Sequence, residues 1–460
     1  MKRKLFVALK RIALFFAIVL FLGICGCSSN STSPKKPVIF VHGYAGSADQ
    51  FETQAMRFAT NGYPKGHVSG FEYDTSLVSG NPAVGFVVPP EILLALDAYI
   101  DSVLKQTGAD KVDLLGHSMG TAVCHAYLAD PTRAAKVAHY VNIDGMTSTT
   151  PPGGVPTLAL FAELSGFKDI ITTGSQIGGA TNITLADTSH VQAASCSQSF
   201  VEIYKFFNNG RRPFTTDIRP GYSDHIELAG RIITFMTNAV PADLKLDIYE
   251  VNKDTGVRMR SAPDYSSLIN ADGNFNFPNA TAGSNYEFYL TSTSDATAAH
   301  YYYEPFVRSD GLIRLKFIPP AAVNALMDQS DNHANLVIIR NKEFLGVDAL
   351  FPNEDSLKIR GSELCTGLFK QVGLLETPIA LFVFDKVADG INDLSGPVTS
   401  GLIASLPFIS GLDFFINAAN PPDSKISIVL KGRYAEKEQV VNVPNWPSTT
   451  DKIMVQMWDY

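Results

Sequence analysis

One stretch constrains the fold of this 460-residue chain more than any other: Lys111-Val112-Asp113-Leu114-Leu115-Gly116-His117-Ser118-Met119-Gly120. An apolar β run leads into a serine with glycine two places away on either side, and a helical stretch, Thr121 to Ala129, leads out. A turn tight enough to lift the hydroxyl clear of a sheet edge leaves no room for Cβ atoms at both flanks, so glycine there is a steric requirement. G-x-S-x-G recurs by chance; the strand before it and the helix after it give it meaning. The surrounding sequence agrees. From Lys36 to about 240, short β-branched runs (Pro37 to Val41, Ala138 to Ile143, Val155 to Phe161, Asn182 to Ala186) alternate with helical periods (Glu91 to Lys105, Ser199 to Asn208). That alternation predicts an α/β domain with a doubly wound parallel sheet.

Beyond Pro241 helical periods are scarce. Runs such as Leu246 to Val251, Asn285 to Thr291, Leu312 to Ile318, Asn335 to Ile339, Leu357 to Ile359, Ile379 to Phe384 and Ile426 to Leu430 read as strands between turns. A mostly antiparallel sandwich or barrel is expected for residues 241–460, with a possible further split near 325. The 45% apolar and 18% charged composition suits folded domains with sizeable cores. Five cysteines without CxxC or Cys/His metal spacing exclude a disulfide scaffold and suggest no metal site. Of these, Cys124, Cys196 and Cys365 lie in the body, so at most one bridge joins them. A net charge of −8 argues against a nucleic-acid partner.

The N-terminus reads as an export signal. Lys2, Arg3, Lys4, Lys10 and Arg11 precede an apolar run, Ile12 to Ile24, that is short for a spanning helix. Ile24-Cys25-Gly26-Cys27 resembles a bacterial lipobox, with Cys27 after a small residue as the lipidated position. Residues 1–26 are thus expected to be a lipoprotein signal peptide and 27–37 a tether. Removing 1–26 leaves 32 basic against 45 acidic residues. Several acyl chains on Cys27 would hold even so acidic a protein on a membrane. The expectation is a lipid-anchored protein of the bacterial cell envelope, on the outer membrane.

A serine becomes a useful nucleophile only when a base takes its proton and an acid orients that base. His190, in Asp187-Thr188-Ser189-His190-Val191-Gln192, follows a strand and precedes a helix, where this arrangement needs its base; His225 is the competitor. His117 is expected to pack beside the serine. Three carboxylates suit the acid by position, namely Asp144 after the strand ending at Ile143, Asp169, and Glu163. Spacing does not choose among them. His42-Gly43-Tyr44-Ala45-Gly46, directly after the first strand, has the form of a turn that donates a backbone N–H to an oxyanion. The two donors would be the amides of Tyr44 and Met119.

Pro37 to Ser47, Gln50-Phe51-Glu52, Asn61-Gly62-Tyr63-Pro64, Phe71-Glu72-Tyr73-Asp74-Thr75, Asn142-Ile143-Asp144-Gly145, Thr188 to Gln192, Glu304-Pro305-Phe306 and Glu363-Leu364-Cys365-Thr366 together resemble the archaeal-type long-chain triacylglycerol lipases. That resemblance implies an α/β-hydrolase domain (38–240) followed by a β-barrel lipid-binding domain, and it favours Asp144 as the acid. It implies a serine ester hydrolase that cleaves lipids such as acylglycerols through an acyl-enzyme, with no cofactor. One departure is a much shortened lid insertion, where Thr75 to Pro90 forms an apolar, Gly/Pro-punctuated stretch suited to a flap or to a covering loop. A shortened lid suits the alternative of a short-chain carboxylesterase or polyester hydrolase. A non-catalytic lipid-binding lipoprotein is the rival of another class. Expected partners are a lipid or other apolar ester and, through the anchor, a membrane.

Overall fold

In the computed structural model the described residues are 35–81, 83–165, 176–292, 298–319, 326–345, 355–365, 378–398, 403 and 408–458. The signal segment, Cys27, most of the tether and Asp169 lie outside them. No helix among the described residues is long and apolar enough to cross a membrane.

The first half is built on six parallel strands: β1 (Val38–Val41), β2 (Val68–Phe71), β5 (Val112–His117), β6 (Val137–Ile143), β7 (Thr157–Ala162) and β8 (Thr181–Leu185), in the order β2-β1-β5-β6-β7-β8. A small hairpin, β3 (Ser79–Asn81) with β4 (Gly85–Val87), interrupts the series. Parallel strands need crossovers, and the helices α1 (Glu52–Thr60), α2 (Pro90–Thr107), α3 (Met119–Leu128) and α4 (Ser197–Phe207) supply cover on both faces. Side-chain alternation divides β1 between them. Val38 and Phe40 pack with Phe51, Phe58, Phe200 and Ile203 on one face, and Ile39 and Val41 with Leu96, Ile100, Val123 and Tyr127 on the other. α2 ends where Gly108 takes φ 68°, the left-handed cap that glycine provides without strain.

The β-rich half begins earlier than the expected boundary at 240. β9 (His225–Thr234) already pairs with β12 (Asn274–Thr281) and β15 (Asp310–Phe317). Glu227, Gly230 and Arg231 break its apolar run, which hid it in the sequence. Gly230 is required because a Cβ there would lie 2.1 Å from the Ile313 carbonyl oxygen. The remaining strands are β10 (Leu244–Val251), β11 (Tyr265–Leu268), β13 (Asn285–Ser292), β14 (Ala298–Tyr303), β16 (Leu336–Arg340), β17 (Ser356–Ile359), β18 (Ser362–Glu363), β19 (Ala380–Phe384), β20 (Asp393–Val398), β21 (Ile409–Asp413), β22 (Lys425–Lys431), β23 (Gln439–Pro444) and β24 (Asp451–Met457).

Nine of these form one sheet, β11-β10-β13-β14-β24-β16-β19-β21-β20, which joins strands from before and after position 325, with β24 between β14 and β16. Pairing in this half is mostly antiparallel, with parallel joins at β14–β24, β16–β24, β19–β21 and β9–β15. The period of two along the long sheet serves two cores. Val337 and Ile339 point to the layer holding β9, β12 and β15, while Leu336 and Ile338 point to the layer of β17, β22 and β23. Three β layers result. Cys124, Cys196 and Cys365 are buried, and no disulfide joins them.

Candidate active site

The turn from β5 into α3 puts Ser118 at φ 53°, ψ −125°, a conformation that costs a non-glycine residue about 1–3 kcal/mol and persists only where the surroundings enforce it. The glycines show how. A Cβ on Gly120 would meet the Val41 carbonyl oxygen at 2.3 Å and that of His42 at 2.5 Å, and one on Gly116 would meet the Gly120 carbonyl oxygen at 2.8 Å. The start of α3 is thus pressed against the end of β1. Thr121 Oγ1 donates to the Ser118 carbonyl (2.5 Å) and accepts from Met146 N–H (2.7 Å), tying the turn to the segment after Asp144. A Cβ on Gly145 would lie 2.1 Å from Thr121 Oγ1, so this approach also needs glycine.

Asp144 and His190 meet. His190 Nδ1 lies 2.6 Å from Asp144 Oδ2, both residues being buried. Asp144 Oδ1 accepts from Ala162 N–H at 2.9 Å, so each carboxylate oxygen has its own partner. Ser118 and His190 line one cavity together with Gly43 and Tyr44. The competitors fall elsewhere. His225 is exposed at the start of β9, in a different groove, and Glu163 accepts from Asp187 N–H at 2.7 Å.

His117 has a definite task in this arrangement. Its Nε2 lies 3.0 Å from the His190 carbonyl oxygen, which can only accept, so Nε2 carries the proton. Nδ1 then accepts from the Gln50 amide at 2.8 Å. Burial, reinforced by His190 and His42, pushes the His117 pKa well below the usual histidine range, which keeps it neutral. Its ring centre is 4.6 Å from that of His190.

The His42-Gly43 turn is anchored from beneath. His42 is buried, stacks on Tyr73 (4.5 Å, 15°) and lies 3.3 Å from Glu72. Burial alone would raise Glu72, but the Arg314 guanidinium at 2.5 Å, followed by His42, holds its carboxyl well below the usual range. Arg314 belongs to β15, so the β-rich half supports this turn. Gly43 lies against the serine, as a Cβ there would be 3.0 Å from Ser118 Cβ. Tyr44 lines the cavity, and Met119 opens α3, where first-turn amides have no partner inside the helix.

The cavity's other wall is the feature that sequence reasoning missed. Phe235, Lys316, Ile339, Asn341, Ile379, Ala380, Phe408 and Ile409 line it, all from beyond residue 225. Phe408 stacks near the His190 ring at 6.0 Å. The β3–β4 hairpin, in the place of the expected flap, contributes no described residue to this lining. It exposes Val84 and Val87 to solvent while Val78 is buried beneath. No group of His, Cys, Asp and Glu suited to a metal is present among the described residues.

Residues 35–130 match the class 2 lipase family, 224–320 the lipase C-terminal domain, and 322–460 a further C-terminal-domain family. Together these matches support a lipase family with an added C-terminal domain. The family supports ester hydrolysis in general. The junction at 224 coincides with the start of β9, and that at 320–322 falls near 325, inside the region the nine-stranded sheet bridges. Among solved structures, a gene product of Listeria innocua is 14% identical over 40% of this chain and 100% of its own (TM-score 0.28). A CIB-like hydrolase of Thermoplasma acidophilum is 15% identical over 39% and 89% (0.27), and lipase B of Aspergillus fumigatus 15% over 42% and 56% (0.29). Likenesses at these scores decide nothing about the chemistry.

Proposed function

We propose that this lipase-family protein is a serine ester hydrolase acting on lipids such as acylglycerols. Ser118 Oγ attacks the ester carbonyl carbon while its proton passes to His190 Nε2. Asp144 holds the Nδ1 proton and stabilises the imidazolium that forms. The carbonyl oxygen becomes an oxyanion between the Tyr44 and Met119 amides. Collapse expels the alcohol, which takes the proton from His190 and leaves an acyl-enzyme. Water, deprotonated by the same histidine, then attacks the acyl carbon, and the bond to Ser118 Oγ breaks as that oxygen takes the proton back from His190 and the acid leaves. This sequence needs no cofactor. The observation that carries the reading is the strained backbone of Ser118 in a cavity shared with His190, whose ring bonds to Asp144 at 2.6 Å.

Ser118→Ala should abolish both turnover of p-nitrophenyl esters and labelling by a fluorophosphonate while leaving the circular dichroism spectrum unchanged. Substantial remaining activity would move the nucleophile elsewhere. Absence of turnover and labelling in the unaltered protein would instead favour a lipid-binding lipoprotein. A short-chain carboxylesterase or polyester hydrolase is the second reading, favoured by the small β3–β4 hairpin standing outside the cavity lining. Rates across acyl-chain lengths separate the two. We further propose that the protein is exported and lipid-anchored to the outer membrane through Cys27. Cys27→Ala should release it into the soluble fraction, and membrane retention would refute the anchor.

A further inference from the structure

The residues flanking His190 converge on a single carboxylate from the β-rich half. Glu343, 3% exposed, follows β16 in the chain. One of its oxygens accepts from Val191 N–H at 2.6 Å; the other accepts from Ser189 Oγ at 2.6 Å and Gln192 N–H at 3.1 Å. The donors therefore bracket His190 on both sides. Neighbouring contacts extend the clasp, since Arg433 donates to Gln192 Oε1 (3.0 Å) and Ser195 Oγ to the Asn341 carbonyl (2.8 Å). His117 in addition bonds the His190 carbonyl.

Hydrogen bonds to an ionised acceptor are about twice as strong as neutral ones, and here three meet in a buried place. A general base that must lie within hydrogen-bond reach of a serine tolerates little play, because a misplacement of about 1 Å can cost on the order of 100-fold in rate. We infer that Glu343 is a positioning residue for His190, so that the base is aligned only while the segment after β16 is docked on its loop. The inference rests on the esterase reading above and deepens it. The β-rich half builds part of the machinery, beyond any part it plays in recruiting substrate.

Glu343→Gln, in the full chain, tests this. The amide keeps the shape but offers one acceptor oxygen, so its NH2 must face either Val191 N–H or the Ser189 and Gln192 donors. The kcat for p-nitrophenyl butyrate should fall about 10- to 100-fold with KM changed less than about twofold. Fluorophosphonate labelling should slow by the same factor, and the acid limb of the kcat/KM pH profile should move. Ser189→Ala removes one donor and leaves both amides on the carboxylate, so kcat should drop only a few-fold. A folded Glu343→Gln protein with unaltered kcat and pH limb overturns the proposal; should that variant not fold, an unaltered kcat in Ser189→Ala overturns it. An unaltered protein that neither hydrolyses esters nor takes the label would refute the esterase reading instead.

Discussion

Asp144→Asn is the substitution whose outcome the geometry fixes most tightly. Asp144 Oδ1 accepts from Ala162 N–H at 2.9 Å, and Oδ2 faces His190 Nδ1 at 2.6 Å. An asparagine must keep its oxygen toward Ala162, because turning it round would set NH2 against N–H. Its NH2 therefore faces His190 and donates to Nδ1. The imidazole must then carry its proton on Nε2, the nitrogen meant to receive the serine proton, and is left without a basic site there. The imidazolium formed during attack also loses a buried anionic partner. A loss of this kind in a serine hydrolase is on the order of 10⁴ in kcat, which at about 1.36 kcal/mol per decade is about 5.4 kcal/mol of barrier. The assay is kcat on a soluble p-nitrophenyl ester, with folding followed by near-ultraviolet circular dichroism. A folded variant within tenfold of the unaltered enzyme refutes the reasoning, as does a larger loss from Asp169→Asn.

Gly120→Ala would drive a methyl group into the Val41 and His42 carbonyl oxygens, neither of which can swing aside as a side chain can. A loss of about 3 kcal/mol or more is expected, read as a lower urea midpoint; an unchanged midpoint counts against the close approach of α3 to β1. The Glu287–His300–Asp451 cluster, in which Glu287 and His300 are buried, should shape the pH dependence of stability. Burial opposes charge on His300, but the Asp451 bond at 2.8 Å and the Glu287 bond at 2.5 Å outweigh it and raise its pKa. A raised folded value gives stability that is complete below the unfolded histidine pKa, near 6.5, and is lost as pH climbs through the folded value. Burial would raise Glu287, yet His300 and Arg258 bring it down to about 2, so its contribution is complete above about 4.3 and fades as pH falls toward 2. Urea midpoints should therefore weaken on both sides of about pH 4.5–6.5, and His300→Gln should flatten the alkaline side; an alkaline decline identical in that variant sinks the assignment.

Much of the site was legible because its signals are local. The elbow needs glycine at 116 and 120 within one turn, and the strand before His190 and helix after it announce themselves by period. Asp144 was a matter of three candidates on spacing, since which carboxylate reaches the imidazole depends on where β6 ends relative to the 189–192 loop. β9 was missed because its outward residues and Gly230 interrupt the apolar run, although Gly230 is there for the sake of β15. Glu343 lies in no motif at all. A lone acid between Lys342 and Phe344 gives no sign that three donors some 150 places earlier will close on it.

Backbone sterics, apolar period and residue chemistry by themselves determined a parallel α/β layer with a nucleophile-like corner, a β-rich second half and an imidazole to serve the first. They act over a few neighbouring residues, so they can be read along a line. Only the tertiary structure decided that the second half walls the cavity, that Arg314 of β15 charges Glu72 beneath the His42-Gly43 turn, and that Trp458, at the end of the described chain, donates to Glu52 near its start. Those contacts join positions hundreds of residues apart, and their partners are selected by shape and charge in three dimensions, which no local pattern encodes.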